Sequence, residues 1–294
     1  MNKCKQIYLR VSSPHYYYGR SLIKLFIHNV IQKVEFFRRR GPSDKLLAAT
    51  KNLGRSKYGK TALVLGSGPS LNSLNSSIAR EYFDDVFVVN NYYLHEIAKE
   101  LVPDYYALSD PNHFVDDKTN AVHDDASLYR YLIENNITLL LSHFYRKKEI
   151  NSGISTLFFD DREWRGLRKN ISPIRPRSYG SFTLYKALAL ACHFGYETIY
   201  VLGLDNTEFK SYIGSIDNKI YVNNDSHYAK SSVELRTTNS PEGFTSGMAG
   251  RMQSYALQFA DLQLFSNFNI INLDAKSLVD AFEKVESHPA IIQY

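Results

Sequence analysis

From Lys60 onward, the chain alternates short apolar runs with longer amphipathic segments. Strands that alternate with helices are typical of βαβ units, so this pattern predicts an α/β fold with a mostly parallel sheet that is covered on both faces. The predicted strands are Thr61–Leu65, Val86–Val89, Tyr105–Leu108, Thr138–Leu141, Thr198–Leu202 and Ile270–Asn272. The predicted helices are Leu94–Leu101, Ala126–Asn135, Ser181–Phe194 and Ala249–Ser266.

Two parts of the chain lack this alternation. Between Asn206 and Phe244, polar residues dominate with little helical periodicity, which predicts a lid or substrate loop because the segment is too long for an ordinary connection. Near the start, apolar residues spaced by three and four between Leu22 and Phe37 predict an amphipathic helix. We therefore expect a basic N-terminal arm over 1–58, an α/β domain over 59–205, a lid or acceptor loop over 206–248, and a C-terminal helix and strand over 249–294 that complete the α/β domain.

The composition is that of a soluble globular protein, because 294 residues with 44% hydrophobic content can bury a substantial core. The two cysteines, Cys4 and Cys192, lie far apart and offer neither a disulfide framework nor a metal-binding spacing. A reducing compartment fits this cysteine usage best.

The charge is unevenly distributed. Residues 1–60 hold 14 Lys and Arg against two acids, whereas the remaining 234 residues carry a net charge of −7. Because a nucleic-acid enzyme usually places its basic residues on the folded domain, this balance argues against a nucleic-acid partner.

The basic arm has no apolar run of the ~20 residues that span a bilayer and no signal-peptide pattern, so we expect a cytoplasmic protein. Two interpretations of its segment 20–40 stay open. It lies peripherally on the anionic inner face of the cytoplasmic membrane, or it packs on the domain or on a sister subunit of a homo-oligomer.

The first candidate binding element is the turn Gly66-Ser67-Gly68-Pro69-Ser70, which follows a predicted buried strand. Glycines let the backbone approach a phosphate or ribose closely, the N–H groups of the next turn attract anions, and Ser70 is placed to accept a hydrogen bond from that turn. The turn lacks the third glycine of the dinucleotide fingerprint and the Gly-Lys-Ser/Thr of a P-loop. An ordinary tight turn is the alternative.

Polar residues also follow two other predicted strands. Asn90 and Asn91 end one of them, and Gly203-Leu204-Asp205 ends another. Because the carboxyl ends of parallel strands share one edge of a sheet, we expect these residues to converge beside the glycine turn at a ligand crevice. Helix capping is the alternative role for the asparagines.

His227 lies in the predicted lid next to Asp225 and Ser226. A histidine titrates near neutrality and is able to act as a general base. The alternative is an ordinary surface histidine in a polar loop.

Taken together and in order, these segments resemble the bacterial lipooligosaccharide sialyltransferases, glycosyltransferase family 42. The family patterns are Gly-Asn-Gly-Pro-Ser-Leu, Cys-Asn-Gln-Phe-Tyr, Leu-Gly-Tyr-x-x-Ile-Tyr-x-x-Gly-Ile-Asp, Asn-Asp-Asn-Ser-His-Tyr and a tail with Ser-Leu-x-x-x-Phe. The similar segments here are Gly66–Leu71, Val89–Tyr93, Phe194–Asp205, Asn223–Tyr228 and Ser277–Phe282. The resemblance covers residues 60–286 and leaves the basic arm unexplained.

The resemblance implies an inverting transfer of a sialic-acid-like sugar from a CMP donor to a hydroxyl of a glycan or glycolipid, for lipopolysaccharide, lipooligosaccharide or capsule synthesis. It implies a Rossmann-like domain, a variant of the GT-A type, with a flexible lid and no cofactor or metal. The chain has no Asp-x-Asp, the spacing on which metal-dependent glycosyltransferases rely. His227 would be the catalytic base, and Tyr212 would face the leaving phosphate.

The same resemblance assigns the nucleotide sugar to the glycine turn, Asn90 and the segment ending at Asp205. Asp110 stands where the family has a crevice asparagine, and Arg177–Ser181 loosely matches the family's Arg-x-Thr-Ser-Gly. Through that match Ser178, Gly180 and Ser181 become predicted donor-binding residues. Two alternative functions are transfer from another nucleotide donor, including transfer of a phosphate-linked group, and non-catalytic binding of a nucleotide or glycan.

Overall fold

The computed structural model describes residues 41, 43–109, 125–146, 153–163, 169–205, 212–214, 220–223, 233–236 and 259–292, together with Val30 and Val34. Its main sheet has eight strands, and every neighbouring pair in it is parallel. These strands are β1 (Thr61–Leu65), β2 (Asp85–Val89), β3 (Tyr105–Leu108), β4 (Thr138–Ser142), β5 (Thr156–Phe159), β6 (Thr198–Leu202), β10 (Ile270–Asn272) and β11 (Glu283–Lys284). The predicted α/β class with a Rossmann-like, mostly parallel sheet is confirmed.

The strand order is β11-β10-β6-β1-β2-β3-β4-β5. The chain therefore builds the sheet outward from β1 in one direction as far as β5, and then crosses back to place β6, β10 and β11 on the other side of β1. Consecutive residues of the central strand alternate between two buried clusters. Ala62 and Val64 pack on one face, and Leu63 and Leu65 pack on the other.

Besides the helical residues Val30, Val34 and 259–262, four α-helices lie in the described residues: α1 (Asp44–Asn52), α2 (Ser76–Tyr82), α3 (Asp125–Glu134) and α4 (Thr183–Phe194). Eleven of the 12 residues of α4 are buried, and this helix packs against β1, β2 and β3. It ends at Gly195, whose φ of 83° is the left-handed conformation that glycine adopts without strain at a helix C-terminus. On the opposite face of the sheet, α3 buries Leu128 and Leu132.

The predicted helix Leu94–Leu101 is wrong. The segment forms two short 3₁₀ turns, Tyr92–Leu94 and Glu96–Lys99, with His95 in an extended conformation between them. The His95 ring accepts a hydrogen bond from the Ile97 N–H at 3.1 Å. This side-chain cap starts a new turn where a continuous helix would need helical backbone angles, which is how such local hydrogen bonds compete with a helix.

The predicted lid contains a second, antiparallel sheet of β7 (Tyr212–Gly214), β8 (Ile220–Asn223) and β9 (Val233–Arg236). The sequence pattern there predicts no strand. Of the predicted helix Ala249–Ser266, residues 249–258 lie outside the described residues, and the rest is a helical end followed by the 3₁₀ turn Gln263–Phe265. The limits of the four predicted parts of the chain stay predictions.

Residues 44–58 pack on the α/β domain. Helix α1 buries Leu47 and Thr50, and the Thr50 hydroxyl donates to the carbonyl of Phe158 in β5 at 2.6 Å. Lys57 forms an ion pair with Asp85 at 2.9 Å. Within the predicted arm helix, Val30 and Val34 are helical and its other residues lie outside the described part. None of the helices searched in the described residues is long and apolar enough to cross a membrane.

Candidate functional site

The strand order places a switch point between β1 and β6. The chain leaves β1 toward β2 on one side, while β6 lies on the other side of β1. In open α/β sheets, ligands bind in the crevice outside the carboxyl ends of two such strands. The glycine turn follows β1 and Asp205 follows β6, so the structure brings these two predicted elements together at this crevice.

The glycines are needed for contact between the two turns. Gly203 has φ 77°, and a Cβ on it would lie 2.6 Å from the Gly66 carbonyl oxygen. A Cβ on Gly66 would collide with the Gly203 carbonyl, and one on Gly68 would collide with the carboxylate of Asp205. The Gly68 N–H donates to the Gly203 carbonyl at 3.0 Å. The sequence pattern predicts that the backbone of the glycine turn approaches a phosphate closely. In the structure, this backbone approaches the turn after β6.

Asp205 closes this contact with its side chain. One carboxylate oxygen accepts from the Ser70 N–H at 2.9 Å, and the other accepts from the Ser70 hydroxyl at 3.0 Å. The Ser70 hydroxyl in turn accepts from the Gly203 N–H at 3.0 Å. Ser70 lies inside the 3₁₀ turn Pro69–Ser73, so the expectation that its hydroxyl caps the following turn is wrong. Asp205 is the group that binds the N–H at the start of that turn.

The carboxyl group of Asp205 is 7% exposed and carries a pKa raised to about 6. The largest cause is burial, which disfavours the ionised form, and the second is the nearby carboxyl of Asp274. Hydrogen bonds from Ser70 oppose this rise. Asp274 follows β10, the strand next to β6, so it reaches the same edge of the sheet.

Asn90 and Asn91 lie at the end of β2, on the other side of β1. The side-chain oxygen of each is buried and has no hydrogen-bond partner in the structure. Asn91 precedes the 3₁₀ turn Tyr92–Leu94 without a side-chain capping bond, so capping does not account for these amides. A buried acceptor without a partner is costly, which makes both oxygens candidates for binding a ligand donor.

Tyr106 holds the backbone of Asn90 in an unusual conformation. Asn90 has φ 54°, which is uncommon for a residue other than glycine. The Tyr106 hydroxyl, fully buried, donates to the Asn90 carbonyl and accepts from the Tyr93 N–H, the latter at 3.2 Å. No sequence pattern indicates this contact, because Tyr106 lies in a strand that is apolar throughout.

The predicted donor-binding segment 178–181 is only partly open. Ser178 is buried and its hydroxyl accepts from the Asn170 N–H at 3.0 Å, while the Gly180 N–H donates to Asp261 at 2.8 Å. Ser181 is exposed just before α4. The three positions therefore share a loop, but Ser178 and Gly180 already have protein partners.

A buried ion network that the sequence does not reveal holds this loop against the sheet. Asp161, which follows β5, accepts from Arg177 and from Lys186 of α4, each at 2.8 Å. Lys186 is 3% exposed, and burial lowers its pKa against the pull of Asp161. Because both cations meet one carboxylate, the network joins β5, the segment 169–180 and the first turn of α4.

The two predicted catalytic residues stay predictions. His227 and Asp110 lie outside the described residues, and Tyr212 is the first residue of β7, where only the backbone is described. The predicted roles of Gly66–Ser70, Asn90, Gly203, Leu204 and Asp205 in nucleotide binding also stay predictions. Within the ranges given above, no group of three or more His, Cys, Asp or Glu is placed to hold a metal ion.

Comparison with known proteins gives limited similarity. No protein-family model and no curated protein sequence matches the chain. A MAf glycosyltransferase from Magnetospirillum magneticum AMB-1 has 13% identity and a TM-score of 0.42, covering 85% of this chain and 39% of its own. The sialyltransferase CstII from Campylobacter jejuni, in complex with cytidine-5'-monophosphate, has 15% identity and a TM-score of 0.39, covering 79% and 86%.

This chain therefore spans about two-fifths of the length of the MAf glycosyltransferase. The strand order of this chain by itself defines a doubly wound α/β domain with polar groups at its switch point.

Substituting the central glycine tests the contact between the turns. Gly203→Ala should destabilise the protein more than Gly59→Ala, because both glycines have φ 77° but nothing lies within 4 Å of a Cβ on Gly59. We expect a loss of about 1–2 kcal/mol for Gly59→Ala from the left-handed backbone alone. Gly203→Ala should lose about 1–3 kcal/mol more from overpacking.

The free energy of unfolding in urea measures both losses. Equal losses for the two variants would show that the turns do not need the close contact.

Proposed function

We propose that the chain is an inverting, metal-independent glycosyltransferase that moves a sialic-acid-like sugar from a CMP donor to a glycan hydroxyl. The observation that carries the proposal is the contact of Asp205 with the glycine turn at the switch point of a parallel sheet, beside a strand, β2, that ends in two asparagines with unpartnered side-chain oxygens. The order of the five sequence segments supports the sialyltransferase reaction class.

Of the parts of a CMP-sugar, the nucleoside is the one that these residues suit best. In the proposal, Asp205 accepts a hydrogen bond from a ribose hydroxyl, because its carboxylate lies at the switch point where ligands of open α/β sheets bind. The side-chain oxygens of Asn90 and Asn91 have no partner and would accept hydrogen bonds from a ligand. Cytosine and adenine present an exocyclic amino group as a donor, whereas uracil presents a carbonyl there. This chemistry favours CMP over UMP.

The proposed reaction forms a bond from the acceptor oxygen to the anomeric carbon while the bond from that carbon to the phosphate oxygen breaks. His227 takes the proton of the acceptor hydroxyl, and CMP leaves with the bonding electrons. Hydrogen-bond donors such as the Tyr212 hydroxyl stabilise the departing phosphate. The acceptor approaches opposite the phosphate, which gives inversion at the anomeric carbon.

Replacing the proposed base should slow transfer without weakening nucleotide binding. His227→Ala and His227→Gln should each lower kcat by about 10²–10⁴-fold, because neither side chain takes up a proton near neutral pH. Release of CMP from CMP-sialic acid with a lactose acceptor, followed from pH 5 to pH 9, measures this effect. The wild-type rate should fall at acidic pH as the imidazole becomes protonated.

Near-normal turnover in both variants, or an unchanged pH profile, would assign the proton transfer to another group. CMP affinity serves as the control, since a folding defect would lower it together with kcat. A protein that binds CMP but releases none from a CMP-sugar would be a non-catalytic nucleotide-binding protein.

A chelator tests the metal-free reaction. Turnover of CMP-sialic acid should be unchanged by EDTA, because the chain has no Asp-x-Asp and the proposed phosphate donors are neutral groups. Loss of activity in EDTA that manganese or magnesium restores would contradict the proposal.

Membrane attachment is the proposed role of the basic arm. Removing residues 1–40 should weaken binding to anionic phosphatidylglycerol vesicles and leave transfer to a soluble acceptor intact, since α1 begins at Asp44 and packs on the domain. Co-sedimentation with anionic and with neutral vesicles measures the difference. Equal binding by the shortened and full-length chains would assign the arm to packing on the domain or on a sister subunit.

A further inference from the structure

A basic surface lies at one end of the main sheet. The 3₁₀ turn that follows β4 exposes Phe144, and Arg146 beside it is exposed as well. Lys169 and Arg175 are exposed in the segment that follows β5. Among the ion pairs of the described residues, none includes any of these three cations. Phe144 and the three cations are called the basic edge below.

Hydrogen bonds place the basic edge at the carboxyl end of the sheet. The Arg146 guanidinium donates to the His143 carbonyl at 3.2 Å, and the His143 ring accepts from the N–H of Asp161, just after β5, at 3.1 Å. The segment 169–177 is bound there too, because the Asp160 N–H donates to the Pro173 carbonyl at 2.6 Å. Since all strands of the sheet are parallel, β1 and β6 also end on this side, with the crevice between them.

The carboxylates at this end of the sheet are paired with other cations. Asp160 binds Arg162 at 2.7 Å, and Arg177 binds both Asp161 at 2.8 Å and Glu163 at 3.3 Å. Asp160, Asp161 and Arg177 are buried. These ion pairs hold the loops together and do not neutralise the charge of the basic edge.

The basic arm joins the domain at the same end. A Cβ on Gly41 would lie 2.6 Å from the guanidinium of Arg162, which follows β5. Residues 1–40 hold nine Lys and Arg against one acid, and residues 143–178 hold nine against four. The rest of the domain is acidic, because residues 61–294 together carry a net charge of −7. Positive charge is thus concentrated at one end of the sheet.

We propose that the basic edge binds an anionic membrane surface together with the arm, so that the carboxyl end of the sheet faces the bilayer. Lys and Arg attract anionic headgroups, and an exposed aromatic ring suits the membrane interface. The arm and the edge supply the two signals that stable attachment requires. A nucleic-acid partner is less favoured, because the domain as a whole carries negative charge.

This orientation turns the crevice between β1 and β6 toward the membrane. A glycan held at the membrane surface then reaches the crevice without passing around the domain. That consequence rests on the proposed function, whereas the membrane contact rests only on the charges and contacts of the basic edge and on the point where the arm joins.

Neutralising the basic edge in the full-length chain tests the contact. Arg146→Gln/Lys169→Gln/Arg175→Gln should bind vesicles of phosphatidylglycerol and phosphatidylcholine about 10²-fold more weakly than the wild type, because each cation near an anionic surface strengthens binding about fivefold. Co-sedimentation at about 0.1 M salt measures the binding, at an ionic strength where the Debye length is ~10 Å.

The matched control removes three exposed cations from the opposite end of the sheet, as Lys51→Gln/Arg55→Gln/Lys60→Gln. The Thr50 carbonyl and the Arg55 N–H both bind His193 near the end of α4, at 3.0 Å each, and Lys60 directly precedes β1. A strand of five residues is about 16 Å long, which exceeds the Debye length. This control should therefore bind the vesicles nearly as well as the wild type.

Tryptophan fluorescence tests the orientation. The only tryptophan of the chain, Trp164, directly follows Glu163 in the sequence, and its emission should be quenched by brominated lipid in the anionic vesicles. Trp164→Phe/Tyr58→Trp moves the tryptophan to a position that is 86% exposed, two residues before Lys60. The emission of this variant should not be quenched.

Unchanged vesicle binding by the basic-edge variant, or an equal loss in both triple variants, would overturn the proposal. Equal quenching of tryptophan at positions 164 and 58 would contradict the orientation. A wild-type chain that binds RNA more tightly than vesicles, and loses RNA binding when the basic edge is neutralised, would make this surface a nucleic-acid site instead.

The failure of the proposed function is distinguishable from these outcomes. Both triple variants should transfer sialic acid to soluble lactose at the wild-type rate, because neither removes a proposed binding or catalytic residue. If the wild type transfers nothing, the proposed function fails, and the vesicle measurements still decide whether the basic edge binds a membrane.

Discussion

The contact between the turns after β1 and β6 is the constraint on which the candidate site depends. Its three glycines allow the backbones to touch, and the carboxylate of Asp205 binds both polar groups of Ser70 across the gap. This contact lies at the switch point of the sheet, between β1 and β6. Removing any of the three glycines would place a side-chain atom inside neighbouring backbone or the carboxylate.

The same contact occupies a backbone donor of the glycine turn. A glycine turn that leads into a helix normally offers free N–H groups to a phosphate. Here the carboxylate of Asp205 accepts from the Ser70 N–H, so this donor is already bound within the protein. The side-chain oxygens of Asn90 and Asn91, which follow β2, are buried and have no hydrogen-bond partner. In the proposed function, hydrogen-bond donors of the nucleoside bind these two oxygens.

Much of the fold follows from the hydrophobic pattern. The six predicted strands are all present, because each is an apolar run long enough to span a buried sheet. Strand β11 is the polar pair Glu283-Lys284 and carries no such run, whereas the apolar Leu157–Phe159 of β5 was not predicted as a strand. The helix expected at Leu94–Leu101 is interrupted by the side-chain cap of His95. The convergence of strand ends was predictable from the parallel topology. The hydrogen bonds between Ser70 and Asp205 were not predictable, since they join residues 135 positions apart. The place of Asp274 at the same sheet edge was not predictable either, because the sequence does not show that β10 lies beside β6.

The central claim is that the switch-point crevice binds a cytidine nucleotide. Calorimetric titration of the full chain with CMP, UMP, GMP and AMP in metal-free buffer tests this most directly. The account predicts that CMP binds most tightly, and that Asp205→Ala or Asn90→Ala weakens CMP binding while the protein stays folded. Binding of UMP or GMP in preference to CMP, or CMP binding that both substitutions leave unchanged, would contradict it.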